Sequence, residues 1–153
     1  MSSDAIRDAL QAVIAAVPEV GTVHDRERYA NQQSKLAALY GYNGGIRGGF
    51  LRRAAYRKVS DDGGHDYTVT TDWEIHYFSS FLDEAESENE FNARIDDIDA
   101  ALRADVTLGG AVESTVTPGQ SGLALVSNQP AMFAGVLVHY AKLTVQTEHS
   151  VTD

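Results

Sequence analysis

The chain has 153 residues, 43% of them hydrophobic and 22% charged, so we expect one folded domain over residues 1–153 and exclude large multidomain enzymes. Its formal net charge of −10 repels phosphate backbones, which disfavours sequence-specific binding of nucleic acid. The chain lacks cysteine, an apolar run of roughly 18–20 residues and a signal-peptide start, so we expect a soluble protein with no disulfide, no thiolate metal site and no membrane contact.

The N-terminal part predicts two helices and a short strand. Ser2 and Ser3 are suited to cap a first helix that ends before Pro18, because apolar residues follow at the spacing of one helical stripe. That stripe comprises Ile6, Leu10, Val13, Ile14 and Val17. A short strand is expected over residues 20–24, and a weaker second helix over 29–40. The glycine-rich sequence GGIRGG then leads into a sheet.

Two long strands are predicted next, as a β-hairpin. Residues 46–59 and 66–81 flank the turn sequence SDDGGH, which contains Asp61, Asp62, Gly63 and Gly64. In the second arm apolar or aromatic residues alternate with polar ones, which indicates one face on a core and one in solvent. At about 3.3 Å per residue an arm of 14 residues spans roughly 45 Å. We therefore expect part of the hairpin to project from the domain.

The remaining sequence predicts one more helix and further strands. Ser87 and Glu90 form a capping box, followed by an apolar stripe at Phe91, Ile95, Ile98 and Leu102, and Gly109 and Gly110 are expected to end this helix. Short strands are expected near 112–116 and 123–126. Residues 136–147 are expected to form a central strand covered on both sides. The predicted fold class is α+β, with helices packed on one face of a mostly antiparallel sheet that includes a long β-hairpin.

No catalytic, cofactor-binding or metal-binding residue is predicted. The five histidines lack metal-ligand spacing, and the glycine-rich stretch lacks the Lys-Ser/Thr and the helix of a phosphate loop. The acids around residues 83–90 suit a solvated helix start better than a cation site. A small hydrolytic or ligand-binding enzyme that uses His24, Asp25 and His139 stays open as a distant alternative.

Charge is distributed unevenly along the chain. Residues 47–58 carry five basic side chains and no acid, whereas residues 83–105 carry nine acids and two arginines. Opposite surfaces of this kind can attract each other between copies of the chain, and a head-to-tail contact can close into a ring. The alternative is a set of weak ion pairs within one chain. The candidate subunit-interface residues are Arg47, Arg52, Arg53, Arg57, Lys58, Asp96, Asp97 and Asp99.

Four segments resemble a family of small bacteriophage tail proteins. They are VHDRERYA at 23–30, DWEIHYF at 72–78, ENEFNARIDDIDAALRADVTLGG at 88–110 and PAMFAGVLVHYAKLTVQTE at 130–148. In this order they are similar to the tail terminator, or tail completion, proteins of the minor tail protein U type. Tyr29 and Ala134 depart from the pattern, where the family usually has Trp and often has Gly.

The resemblance implies a structural virion protein that is not an enzyme and carries no cofactor. Members form a ring, usually a hexamer, at the head-proximal end of the tail tube, where the ring ends tube polymerisation and joins the tail to the head. The implied partners are copies of itself, the tail tube protein and neck or head–tail connector proteins, with DNA passing through the ring without sequence-specific binding. Assembly would take place in the host cytoplasm. A neck or head-completion protein is the alternative.

Overall fold

The computed structural model of the chain describes residues 3–28, 33–60, 62–81 and 87–152. Several residues used in the sequence predictions lie outside these ranges. They are the capping residue Ser2, the start of the expected second helix with Tyr29, the turn residue Asp61, and the acids Asp83, Glu84 and Glu86.

The described residues contain three helices and one large sheet. The helices are α1 (Ser3–Ala15), α2 (Gln33–Tyr40) and α3 (Ser87–Ala104). The strands are β1 (Thr22–His24), β2 (Gly41–Tyr42), β3 (Gly45–Ser60), β4 (Asp66–Ser80), β5 (Val116–Thr117), β6 (Gln120–Ser121), β7 (Ala124–Phe133) and β8 (Val136–Thr152). The large sheet has the order β1-β3-β4-β8-β7, with β2 paired to β3, and only the β1–β3 pair is parallel. An α+β fold with a mostly antiparallel sheet is therefore confirmed.

The strands β3, β4 and β8 run beside one another over most of their length. Arg47 lies opposite Ser79 at one end of the β3–β4 pair and Ser60 lies opposite Tyr67 at the other, with a bulge between Arg53 and Ala55. The 15 residues of β4 extend about 50 Å at a rise of 3.3 Å per residue. All residues of β3 from Arg52 to Val59 are exposed, so neither face of this segment is covered by a described element.

The main core lies on one face of the sheet, which we call the first face. Side chains alternate along a strand, so Trp73, Ile75 and Tyr77 of β4 point to the same side. Helices α1 and α3 pack on this side with their apolar stripes, as the sequence predicts. Inside this core the Trp73 indole Nε1 donates a hydrogen bond to Thr147 Oγ1 at 3.0 Å. The residues that α1 and α3 bury are Ile6, Leu10, Ile14, Phe91, Ile95, Ile98 and Leu102.

Helix α2 packs on the opposite, second face. Its residues Leu36 and Tyr40 form a smaller core with Ile46, Phe78 and Val138, whose side chains alternate away from Trp73. Helices α1 and α3 thus share one face and α2 lies on the other, so the prediction that the helices pack on one face is not confirmed. Helix α2 leads directly into a tight β2–β3 turn, in which Tyr42 pairs with Gly45. This turn places α2 against the second face of β3.

The rest of the second face carries polar side chains that bind one another across strands. His76 contacts the Tyr140 hydroxyl through Nδ1 and lies 3.0 Å from Glu74 Oε1 through Nε2, while the Lys142 ammonium lies 3.3 Å from Glu74 Oε2. Burial alone would raise the pKa of Glu74, but the hydrogen bonds from His76 and Lys142 outweigh it and lower that pKa. Strand β8 is central, as expected, but its second face is only partly buried, so the prediction of cover on both sides is wrong.

Helix α3 ends at Ala104, and a turn follows in which the Asp105 carboxylate accepts a hydrogen bond from the Gly109 amide at 2.9 Å. Two expected strands differ from the structure. Residues 112–115 form only an isolated bridge between Ser114 and Glu148 ahead of β5, which begins at Val116. Strand β7 is 10 residues long, well beyond the expected 123–126, because it pairs with β8 up to Phe133.

A substitution at Gly48 tests how closely β1 approaches β3. A Cβ at this position would lie 1.9 Å from the Thr22 carbonyl oxygen, and Gly48 has a φ of +151°. We expect Gly48→Ala to lower the free energy of unfolding by about 3 kcal/mol or more. The matched control is Gly63→Ala. Gly63 has a φ of +78°, and a Cβ added there would meet no neighbouring atom within 4 Å, so this change should lower the free energy of unfolding by about 1–2 kcal/mol. Denaturant titration measures both values, and equal losses would contradict the steric argument.

Candidate subunit interface

The exposed segment of β3 carries four basic side chains: Arg52, Arg53, Arg57 and Lys58. We call Arg52–Ser60 the basic edge. Arg53 and Lys58 lie opposite the buried Trp73 and Val69, so they point to the first face, whereas Arg52 and Arg57 point to the second. The positive charge therefore flanks this segment on both sides of the sheet.

These basic groups make only weak contacts within the chain. Arg53 donates to Ser3 Oγ at 2.9 Å, Arg57 lies 4.0 Å from Asp72, and Lys58 lies over the Tyr67 ring at 5.6 Å. Arg52 makes no hydrogen bond or ion pair with any residue in the described ranges. Exposed pairs of this kind contribute little, about 0–1 kcal/mol each. The charges of the basic edge thus remain available to another molecule.

The backbone of the basic edge is also unpaired on its outer side. Strand β2 pairs with β3 at Gly45 and Ile46, and β1 pairs with it from Gly48 to Phe50. Among the described residues no strand continues this pairing beside Arg52–Ser60. An open edge offers N–H and C=O groups to any extended chain, and basic side chains on it disfavour partners that are not acidic.

Arg47 lies apart from the other predicted interface residues. It is only 8% exposed, and its guanidinium bonds to Glu90 at 2.9 Å, Ser79 Oγ at 3.3 Å and the Glu19 carbonyl at 3.1 Å. It also lies 4.4 Å from the centre of the Tyr42 ring. The prediction that Arg47 faces another subunit does not fit this position, because its charge is used to hold the start of α3 against the sheet.

The predicted acids lie on α3, at the other side of the molecule. Asp96 and Asp97 are exposed, and Asp97 and Asp99 pair within the helix with Arg94 at 3.4 Å and Arg103 at 3.0 Å. Asp96 and Asp99 follow Asn92 at helical spacing, and we call these two acids the acidic stripe. In the described part of the chain no ion pair joins the basic edge to these acids.

The acidic stripe lies beside β7. Asn128 of β7 donates a hydrogen bond from Nδ2 to Asn92 Oδ1 at 2.9 Å. Asn92 begins the helical row that Asp96 and Asp99 continue, so the acidic stripe lies on the side of α3 that contacts β7 at Asn128. The sheet order places β7 at one edge and the basic edge on the opposite side. The two charge sets therefore point away from each other in one chain.

The histidines singled out in the sequence are not brought together. His24 on β1 contacts the Leu39 carbonyl at 3.1 Å on the second face, while His139 on β8 lies 2.8 Å from Ser87 Oγ on the first. Two strands, β3 and β4, separate them, which corresponds to about 14 Å. The described residues contain no group of three or more side chains suited to hold a metal ion. None of the described helices is long and apolar enough to cross a membrane.

The sequence matches no protein-family model and no curated protein. The resemblance to tail terminator proteins therefore stays a prediction.

Exposed apolar residues on the two outer strands were not singled out from the sequence. Tyr56 and Val59 of β3 and Leu125 and Val126 of β7 are each more than half exposed. Residues of these types in a strand pattern are expected to face a core. Nothing in the sequence indicates that these four residues are instead exposed. Their exposure depends on where the helices stop covering the sheet.

Alanine substitutions at Arg47 and Arg57 should distinguish a buried arginine that stabilises the fold from an exposed one that does not. We expect Arg47→Ala to lower the free energy of unfolding by about 1–3 kcal/mol, because it removes the buried partner of Glu90, Ser79 and the Glu19 carbonyl. Arg57→Ala, at an exposed site, should change it by less than about 0.5 kcal/mol. Denaturant unfolding at equal ionic strength provides the comparison. A similar cost for both would show that Arg47 is not an internal anchor.

Proposed function

We propose that this protein is a structural virion component of a long-tailed bacteriophage and has no enzymatic role. It assembles into a homo-oligomeric ring, a hexamer, at the head-proximal end of the tail tube. The ring ends tube polymerisation and forms the joint to the head or neck. The observation that carries the proposal is the separation of the basic edge and the acidic stripe at opposite edges of one sheet, with no ion pair between them among the described residues.

The positions of these surfaces support a head-to-tail contact, which a ring requires. A contact between two different surfaces of identical copies is heterologous, and it repeats until the rotation closes or a filament forms. Arg53 and Lys58 of one copy, which point to the first face, would meet Asp96 on the next. These three charges have no ion-pair partner among the described residues, so they attract a partner and fix its orientation. Self-association of this kind needs no catalytic group.

The negative net charge of the chain supports the proposal that DNA passes through the ring. With a net charge of −10, a ring of several copies carries a large negative charge, and anionic walls do not retain phosphates. DNA would thus move through the ring without sequence-specific binding. The tube protein and the neck proteins would bind the two ends of the ring.

Charge reversal on the basic edge tests the self-contact. We expect Arg53→Glu together with Lys58→Glu to weaken assembly at least about tenfold, because like charges then face each other on the first face, while the free energy of unfolding stays within about 1 kcal/mol. The matched control is Arg26→Glu with Lys35→Glu, which makes the same charge change at exposed positions off the basic edge. Light scattering measures assembly and denaturant titration measures folding.

A charge swap then identifies the partner surface. Adding Asp96→Arg and Asp99→Arg to the Arg53→Glu and Lys58→Glu variant should restore oligomers, because attraction returns with the signs exchanged. An unchanged oligomer in the first variant, or no recovery in the swap, would contradict contact between these two surfaces.

The position on the tail is tested with the tube protein. We expect the purified chain, added during polymerisation of tail tube protein, to shorten the tubes and to cap one end in electron micrographs. A neck or head-completion protein would leave the tube length unchanged. That result would reject the terminator role and keep the alternative.

A further inference from the structure

The sheet has a second open edge on the side opposite the basic edge. Strand β7 pairs with β8 on its inner side, and among the described residues no strand lies on its outer side. Leu125 and Val126, on its first half, are each more than half exposed, as are Tyr56 and Val59 on the basic edge. Proteins usually blunt an open strand edge, so exposed apolar side chains on both edges indicate surfaces that a partner covers.

The two edges differ, and each carries a feature that matches the other. The basic edge carries Arg53 and Lys58 on the first face of the sheet. The acidic stripe of α3 lies beside β7, also on the first face. The hydrogen bond from Asn128 to Asn92 holds this side of α3 next to the strand. A sheet that continued from β7 of one copy into β3 of the next would therefore bring Arg53 and Lys58 to the side that carries Asp96 and Asp99.

We infer that the subunit contact is a strand-to-strand junction, in which the basic edge of one copy pairs through its main chain with the outer edge of β7 of the next copy. This inference rests on the proposed function. The pairing segment of β7 is Ala124–Gln129, because Pro130 has no N–H to donate and interrupts an added strand there. The occupant of each edge is thus a second copy of this chain, and the sheet continues from subunit to subunit.

The physical basis has two parts. Main-chain hydrogen bonds between two open edges supply affinity, and alternate side chains on the added strand supply specificity. The exposed apolar residues of the two edges are covered against each other, while the charges on the first face set which edge pairs with which. A pairing of two basic edges would instead place four basic side chains against four others.

Cysteine cross-linking tests the junction, because the natural chain has no cysteine. Single variants Tyr56→Cys or Val59→Cys are mixed with Leu125→Cys or Val126→Cys and oxidised mildly. A disulfide needs Cα atoms about 4.4–6.8 Å apart, so at least one mixture should give a linked dimer while each variant alone does not. Val116→Cys, half exposed on β5 and off both edges, is the control and should give no disulfide-linked dimer. Linked dimers of Val59→Cys alone would overturn the inference.

Assembly of the same chains separates this inference from the proposed function. We expect Val126→Lys to weaken assembly at least about tenfold, because it places a cation against the basic edge, whereas Val116→Lys leaves assembly unchanged. Oligomers by light scattering with no cross-link in any of the four mixtures would overturn the strand junction and leave the ring standing. Absence of oligomers in the natural chain would overturn both.

Discussion

The structure depends on the pairing of β4 along both of its sides. It runs beside β3 from Ser79 to Tyr67 and beside β8 from Ser80 to Asp66. With both neighbours in place, its alternate side chains are committed to opposite faces. A slip of one residue would turn Trp73 and its neighbours out of the core and bring charged side chains in. The buried bond from Trp73 to Thr147 on β8 specifies the register further.

The two faces of this sheet are completed by different means. Apolar stripes of α1 and α3 cover the first face, and the start of α3 is held there by polar contacts, Arg47 with Glu90 and His139 with Ser87. The second face combines the small α2 core with a cross-strand group of Glu74, Lys142 and their neighbours. Burying polar groups is tolerable here because they bind one another. Neither arrangement requires a bound ligand.

The outer parts of the sheet are where we propose that the chain meets other molecules. The helices cover the middle of β4 and β8 and leave the far half of β3 exposed on both sides. A long, two-sided exposed strand is costly for an isolated domain, since its backbone groups are open to unwanted pairing. In the proposed ring the same feature would be the joint between copies. The function proposed here therefore lies in the shape and charge of edges and needs no cluster of reactive groups.

The sequence by itself determined the repeating features: the stripes of α1 and α3, the alternation along β4 and the opposite charges of residues 47–58 and 83–105. Such features follow from local spacing, because an apolar face must be buried wherever it forms. Only the tertiary structure decided that α2 lies on the second face, that Arg47 is internal, and that the open edges fall on opposite sides. Those outcomes depend on which distant strands pair and on which segments the helices leave uncovered, and no local pattern in the chain encodes them.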